Sequence, residues 1–432
     1  MRESLLQFVW KHGYFNQQDL CLVSGEPVEI LYPGKQNLNQ GPDFELALIR
    51  MGETTLAGNI ELHVDTAHWY QHHHDGDPRY QNLILHVVWR HVGIAPGNIP
   101  VLELEGRVPH ALWKTYALWM NQPVQIPCSG FLSAFPFDAA DAWLSSLIRD
   151  RLEEKANRWL AYLDELNGHW EALCWHKLSR NFGHHVNADA FETVAKSLSL
   201  NLLARHKPQV IQLESLLLGQ AGLLNGDYVD PYPKMLRREH QFLARKYGLS
   251  VPLLRMEFLR MRPSNFPGLR LAQLAMLLHR HDHLFRHFLD AGSWREVFPL
   301  FDVTANDFWH YHYHFHRKSS YCPKKLGAST IRNILVNTVI PLRYAYGKRM
   351  GDETLQKSSL RWLEELPPDS DHHTALFRKE GFRIRHASDV QNLHQLKAHY
   401  CDHKKCMSCG IGQVLLDGSM VINHGNPSQM GK

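Results

Sequence analysis

No apolar run in the 432-residue chain approaches the length of about 18 residues that a membrane-spanning helix needs. The chain also lacks the composition of a disordered protein: hydrophobic residues make up 44%, charged residues 21% and aromatics 11%, enough to build real cores. It has little net charge, with 47 Lys and Arg against 43 Asp and Glu, so global charge names no partner. Nucleic-acid binding would require a local basic patch. No fixed-period repeat is present, which excludes a solenoid. The opening MRESLLQFVWKHGYF scatters charges among its apolar residues and has no small-residue cleavage site, so no signal peptide is expected. Cysteine is scarce and odd in number, seven in all, and three fall within 401–409. That argues for a metal site in a reducing compartment over a disulfide framework, and for a cytoplasmic protein with no membrane partner. Histidine, by contrast, is abundant at 30 residues, and its placement matters more than its count.

Residues 1–120 read as an α/β domain. Leu5, Leu6, Val9 and Trp10 lie at helical spacing within 3–12, and strand-like runs follow at 28–32, 43–50, 56–64 and 83–89. A polar, His-rich stretch separates the last two. A Pro-containing linker at 122–137 opens a mainly helical domain over 121–395, with helical patterns at 138–166, 191–203, 210–224, 233–247, 268–289, 330–346 and 353–366. Residues 396–432 form a Cys-rich, Gly-containing tail.

The informative stretch is GPDFELALIRMGETTLAGNIELHV, residues 41–64. A hairpin turning at 51–54 sets Asp43 opposite Glu61, and strand alternation puts His63 and Asn59 on the face of Glu61. Phe44, Leu46 and Leu48 with Ile60, Leu62 and Val64 then form the apolar face. Facing carboxylates repel by up to ~1 kcal/mol when exposed. A divalent ion between them reverses the sign, and hard oxygen ligands suit Mg²⁺ or Mn²⁺. The simpler alternative is a solvated surface pair.

Pro42-Asp43 on one strand and Glu61-Leu62-His63 on the next, within an αβββαβ order, resemble the PD-(D/E)XK nuclease superfamily. The resemblance implies a restriction-endonuclease-like fold and metal-dependent cleavage of DNA or RNA. Asp43 and Glu61 would hold the ion, and His63, where that family has lysine, would orient or deprotonate the water. Over nearly the whole chain, GPDF, GNIELHV, LILHVV, RPSNFPGLRLAQLA and the terminal cysteine motif also resemble an uncharacterised bacterial family, a domain of unknown function.

His72, His74 and Asp77 crowd a short segment and suggest a second metal position, a phosphate contact or, in a different class of enzyme, a zinc hydrolase site; a metal-free hydrogen-bonded loop gives the same pattern. Arg262 and Arg270 flank a helix start at Pro267, placed either for phosphate or as loop anchors. The alternating stretch 309–316, four His among aromatics, fits a half-buried strand or connector and also fits metal binding or base stacking. Cys401-x4-Cys406-x2-Cys409 has the spacing of a zinc or an iron–sulfur site, with His399, His403 or Cys322 available as fourth ligand. The nuclease resemblance, some members of which staple their fold with such a cluster, implies one ligand from far away in sequence, Cys128 or Cys322. Three free thiols near a terminus are the plain alternative.

These readings give an α/β restriction-endonuclease-like domain, a helical domain and a Cys-rich element. The leading function is a metal-dependent nuclease. A non-catalytic nucleic-acid-binding or scaffold protein is the main rival.

Overall fold

Apolar alternation and turn residues produce a mixed sheet in the first third of the chain. The computed structural model describes residues 2–37, 40–71, 77–93, 97, 99–259 and 261–416. Two compact units result, Met1–Leu144 with Gln395–Lys432, and Ser145–His394.

In the first unit, helix α1 (Glu3–His12) buries Leu5, Leu6, Val9 and Trp10 and packs on the sheet through β4 (Thr54–Asp65). The other strands are β1 (Val28–Tyr32), β2 (Lys35–Gln36), β3 (Phe44–Met51), β5 (Leu83–Arg90) and β6 (Val101–Glu103). The order is β1-β3-β4-β5-β6, with β2 on the start of β3. Pairs up to β3/β4 are antiparallel, and β4/β5 and β5/β6 are parallel. A parallel pair needs a crossover; here residues 66–82 supply it, with helix α2 (His68–Gln71) and a 3₁₀ turn at Pro78–Tyr80. Gly58 is required where β4 meets the start of β5, since a Cβ there would lie 2.4 Å from Ile84 Cγ2 and 2.6 Å from Asn82 O.

The expected hairpin forms, with one correction. Phe44 pairs with Ile60, which keeps Asp43 beside Glu61, but the register slips by one before Ala47 pairs with Gly58. Leu46, at φ 58°, occupies this bulge, and the Asn59 Oδ1 accepts its N–H at 3.4 Å. A bulged residue resets the alternation of its strand. Leu46 is therefore 75% exposed, and Ala47 and Ile49 fill the core in place of Leu46 and Leu48. Leu46→Ser is expected to change stability by no more than about 0.5 kcal/mol, whereas Ile49→Ala should cost about 2–5 kcal/mol. Urea midpoints of the two variants check this; the reverse ranking would restore the regular alternation.

The second unit is mainly helical. Helix α3 (His110–Asn121), which the sequence reading overlooked, closes the sheet-bearing segment, and α4 (Asp141–Glu165), α5 (Trp170–Phe182) and α6 (Ala188–Lys196) follow. Further helices run at Leu200–His206, Val210–Gln220, Pro231–Tyr247 and Pro267–Arg280. The helix expected over 191–203 is two, because Ser199 caps the second through its Oγ on the Leu202 N–H. That expected over 268–289 stops at Arg280 and restarts at Leu284 after His283 at φ 48°. The one expected over 330–346 spans Ala328–Met350, with a π-helical turn at Leu335–Val339. Among the described residues no helix is long and apolar enough to cross a membrane.

Candidate functional site: a buried carboxylate corner

Asp43 and Glu61 meet where β3 begins, and each holds the other's strand. The Asp43 N–H donates to Glu61 Oε2 at 3.0 Å, and the Leu62 N–H donates to Asp43 Oδ2 at 3.0 Å. The second oxygen of Asp43 accepts from Gln7 Nε2 of α1 at 2.7 Å. Asp43 is half-buried and Glu61 is 6% exposed.

Two carboxylates in such surroundings resist ionisation together. Burial, then the neighbouring Asp43 charge, pushes Glu61 up to about 9, with the Asp43 N–H opposing and Glu3 adding to the rise. Burial raises Asp43 to about 6, opposed by the Leu62 N–H and reinforced by Glu3. Tyr80 feels the same field: burial first, then Glu61 and Asp43, raise its phenol to about 12, so it stays a protonated donor.

His63 is the buried third member, 1% exposed. Its Nε2 lies 3.7 Å from Glu61 Oε1 and its Nδ1 lies 2.9 Å from His86 Nε2. Trp69 packs edge-on against His63 at 6.5 Å and against Tyr80 at 5.8 Å. A ring held by a partner at each nitrogen has a fixed orientation.

Glu3, Gln7 and His86 escaped the sequence reading as site residues. Glu3 and Gln7 stand one helical turn apart on α1, and that i, i+4 spacing was the available signal. His86 pairs with Glu61 in the β4/β5 register, which only the parallel pairing reveals.

His72 and His74 lie outside the described residues. Asp77 is committed locally, capping the 3₁₀ turn through the Arg79 N–H and accepting from Arg79 Nε at 3.0 Å. Arg270 is an anchor, donating to Gln273 Oε1, Asn265 Oδ1 and Thr330 Oγ1. In the alternating stretch only His312–His314 is strand; His312 is buried, stacked on Phe308 at 4.0 Å, and Trp309 is fully buried.

The tail cysteines belong to the sheet-bearing unit. Cys128, Cys406 and Cys409 are buried and Cys401 is half-buried. The Cys128 thiol is raised well above its ordinary value by burial and then by Cys401, Cys409 and Cys406, so the four sulfurs share one electrostatic neighbourhood. Burial likewise raises Cys409, opposed by the N–H groups of Gly412 and Ile411 on its sulfur. Lys404 ties this loop to the end of α3, donating to Met120 O at 2.5 Å and Gln122 O at 3.2 Å. His399 and His403 are exposed, and Cys322 is an exposed thiol of the helical unit facing Pro323 O. Among the described residues, no group of three or more His, Cys, Asp or Glu stands at metal-holding spacing.

No curated protein and no solved structure matches the chain. Residues 3–372 match a family described as "Protein of unknown function (DUF2851)". That match takes in the carboxylate corner and Cys128 and ends before the three tail cysteines. With most of its length matched, the chain belongs to this family.

Proposed function

We propose that the protein is a metal-dependent phosphodiesterase acting on DNA or RNA. The observation that carries this is the reciprocal bonding of Asp43 and Glu61, which holds two mutually repelling carboxylates side by side at a strand start. With the two-residue β2 set aside as an edge strand on β3, the order α1, β1, β3, β4, α2, β5 follows the αβββαβ order of the PD-(D/E)XK resemblance and supports a nuclease-like fold. Asp43 and Glu61 would hold Mg²⁺ or Mn²⁺, an ion that lowers the pKa of water and stabilises charge on a phosphate. His63 Nε2, 3.7 Å from Glu61 Oε1, would be the atom to take or hold a proton, while the His86 contact at Nδ1 orients the ring.

One observation favours a second reading, a non-catalytic nucleic-acid-binding or scaffold protein: the imidazole that replaces lysine is almost fully buried. Cleavage of single- and double-stranded DNA and RNA with Mn²⁺ separates the two. Glu61→Gln should lower the rate by about 10²–10³-fold. Equal rates in parent and variant would trace the activity to a contaminant, and nucleic-acid binding without cleavage would favour the scaffold.

The same reading makes the four cysteines a zinc or iron–sulfur site, with Cys128 as the fourth ligand. Their shared burial and the N–H groups on Cys409 support it, because thiolates gathered from distant segments are stabilised by a cation and by backbone donors.

A further inference from the structure

The helical unit contains a cavity of 690 Å³ walled by α4, α5, α6 and the segment around Asn333 to Thr338. Lys155, Arg158, Lys177 and Arg180 line it, and Glu192 is the single carboxylate among its lining residues. Glu192 is already shared, at 2.8 Å from Lys177, 3.0 Å from Arg180 and 3.4 Å from Lys196. Arg180 also pairs with the exposed Asp189, so Lys155 and Arg158 supply the positive charge that is left over.

The excess centres on Lys155. Burial, then Arg151, Arg158, Arg180 and Lys177, lowers its pKa to about 7. Its Nζ donates to Asn337 O at 2.7 Å. That carbonyl sits in the π-helical turn, four residues before Pro341, which has no N–H to return to it. Two further polar atoms of the wall, His184 Nε2 and Asn181 Oδ1, are buried without a hydrogen-bond partner among the described residues. Burial and nearby Arg270 and His185 lower His184 to about 4, so its ring is a neutral donor or acceptor. Crowded cations and an orphaned buried imidazole N–H are each unfavourable, and one bound anion that accepts from His184 Nε2 relieves both, while Asn181 Oδ1 is an acceptor for a hydroxyl group of the ligand.

A second cavity of 470 Å³ shares His184, Asn333 and Asn337 with the first. Its wall adds Ser264, Asn265 and Thr330, which suit hydroxyl groups, together with Asp369 and Asp371. Asp369 is paired with Arg332 and Asp371 with His394, and Arg262 lines the same wall. The lysines and arginines of the first cavity therefore orient a ligand with its acidic end toward Lys155.

We propose that the first cavity binds the phosphate of a phosphate ester, seated among Lys155, Lys177, Arg180 and His184, with the ester's hydroxylated remainder running past Asn333 and Asn337 into the second. Several lysines and an arginine fork match a multiply charged tetrahedral anion better than a carboxylate. The site lies in the helical unit and does not depend on the nuclease reading.

Calorimetric titration of the full chain with pyrophosphate, a nucleoside diphosphate and sulfate tests it. Pyrophosphate should bind well ahead of sulfate, and the nucleoside diphosphate tighter still. Lys155→Met should weaken both phosphates at least about tenfold, while its unliganded melting temperature holds or rises because repulsion is relieved. Asn333→Ala should weaken the nucleoside diphosphate and leave pyrophosphate unchanged. Unaltered pyrophosphate binding in Lys155→Met, sulfate equal to pyrophosphate, or no binding by the parent at millimolar concentration would each overturn the site. A nucleoside diphosphate no tighter than pyrophosphate would overturn the role of the second cavity.

Discussion

At pH 8 the Glu61→Gln protein is expected to melt on the order of 5 °C or more above the parent, and Mn²⁺ is expected to raise the melting temperature of the parent alone. Glu61 is raised from 4.5 to about 9 in the folded protein. Between those values the native state keeps a proton that the unfolded chain has lost. Stability therefore falls as pH rises through that window, the sign for any acid whose folded pKa is elevated. Asp43 adds a smaller loss between 3.8 and about 6. A tenfold change in proton affinity corresponds to about 1.4 kcal/mol, so the corner costs several kcal/mol at alkaline pH. Glutamine removes the acid while retaining an amide carbonyl for the Asp43 N–H. Parent and variant should converge below about pH 3, where both carboxyls are protonated in either state, and diverge steadily toward pH 9. A divalent ion held by the pair as proposed would oppose this penalty, and its binding at pH 8 should release protons to the buffer. Melting curves that run parallel from pH 4 to 9, with Mn²⁺ shifting both proteins alike, would show that the carboxylates neither repel nor share an ion.

Part of this corner was legible in the sequence because strand alternation is a local property. Side chains two apart share a face, so Glu61 and His63 fall together from the alternation alone. Asp43 comes opposite Glu61 only through the bulge, because the turn pairs Met51 with Thr54 and an unbroken register would set Phe44 against Glu61. The bulge at Leu46 was not legible. Leucine has no preference for positive φ, and the displaced Leu46 N–H meets the Asn59 side chain only once the register has slipped. Gln7 and Glu3 reach the site only because α1 lies on β4, and His86 only because β5 pairs parallel to it. In the helical unit the patterns located most helices, and the breaks were missed where a local competitor acts. Ser199 offers a cap in the middle of an apolar periodicity, and Pro341 withholds a donor inside one. The cavity beside Lys155 left no contiguous motif, since its residues come from four separate segments.

On the proposed four-cysteine site, Cys128→Ser is expected to reduce co-purifying metal by at least about tenfold, since outer-sphere changes alone cost about 10–100-fold in metal affinity. Cys128 is separated from Cys401, Cys406 and Cys409 by the entire helical unit in sequence, yet its thiol is the one that all three of the others act upon. The anchoring of Lys404 on Met120 and Gln122 carbonyls holds the two segments together without any ion. Folding can therefore precede loading, and the variant should remain folded, serine being nearly isosteric. Without an ion, burial keeps all four thiols protonated, since each is raised above its ordinary value. Binding must then release protons, so loading should strengthen as pH rises. Cys322→Ser, an exposed thiol in the helical unit, should retain the parent's metal content. Elemental analysis after anaerobic purification separates the two chemistries: zinc gives a colourless protein, and an iron–sulfur cluster gives a brown one. Equal metal in Cys128→Ser and the parent would remove Cys128 from the ligand set, and a metal-free parent under those conditions would reduce the four residues to buried thiols.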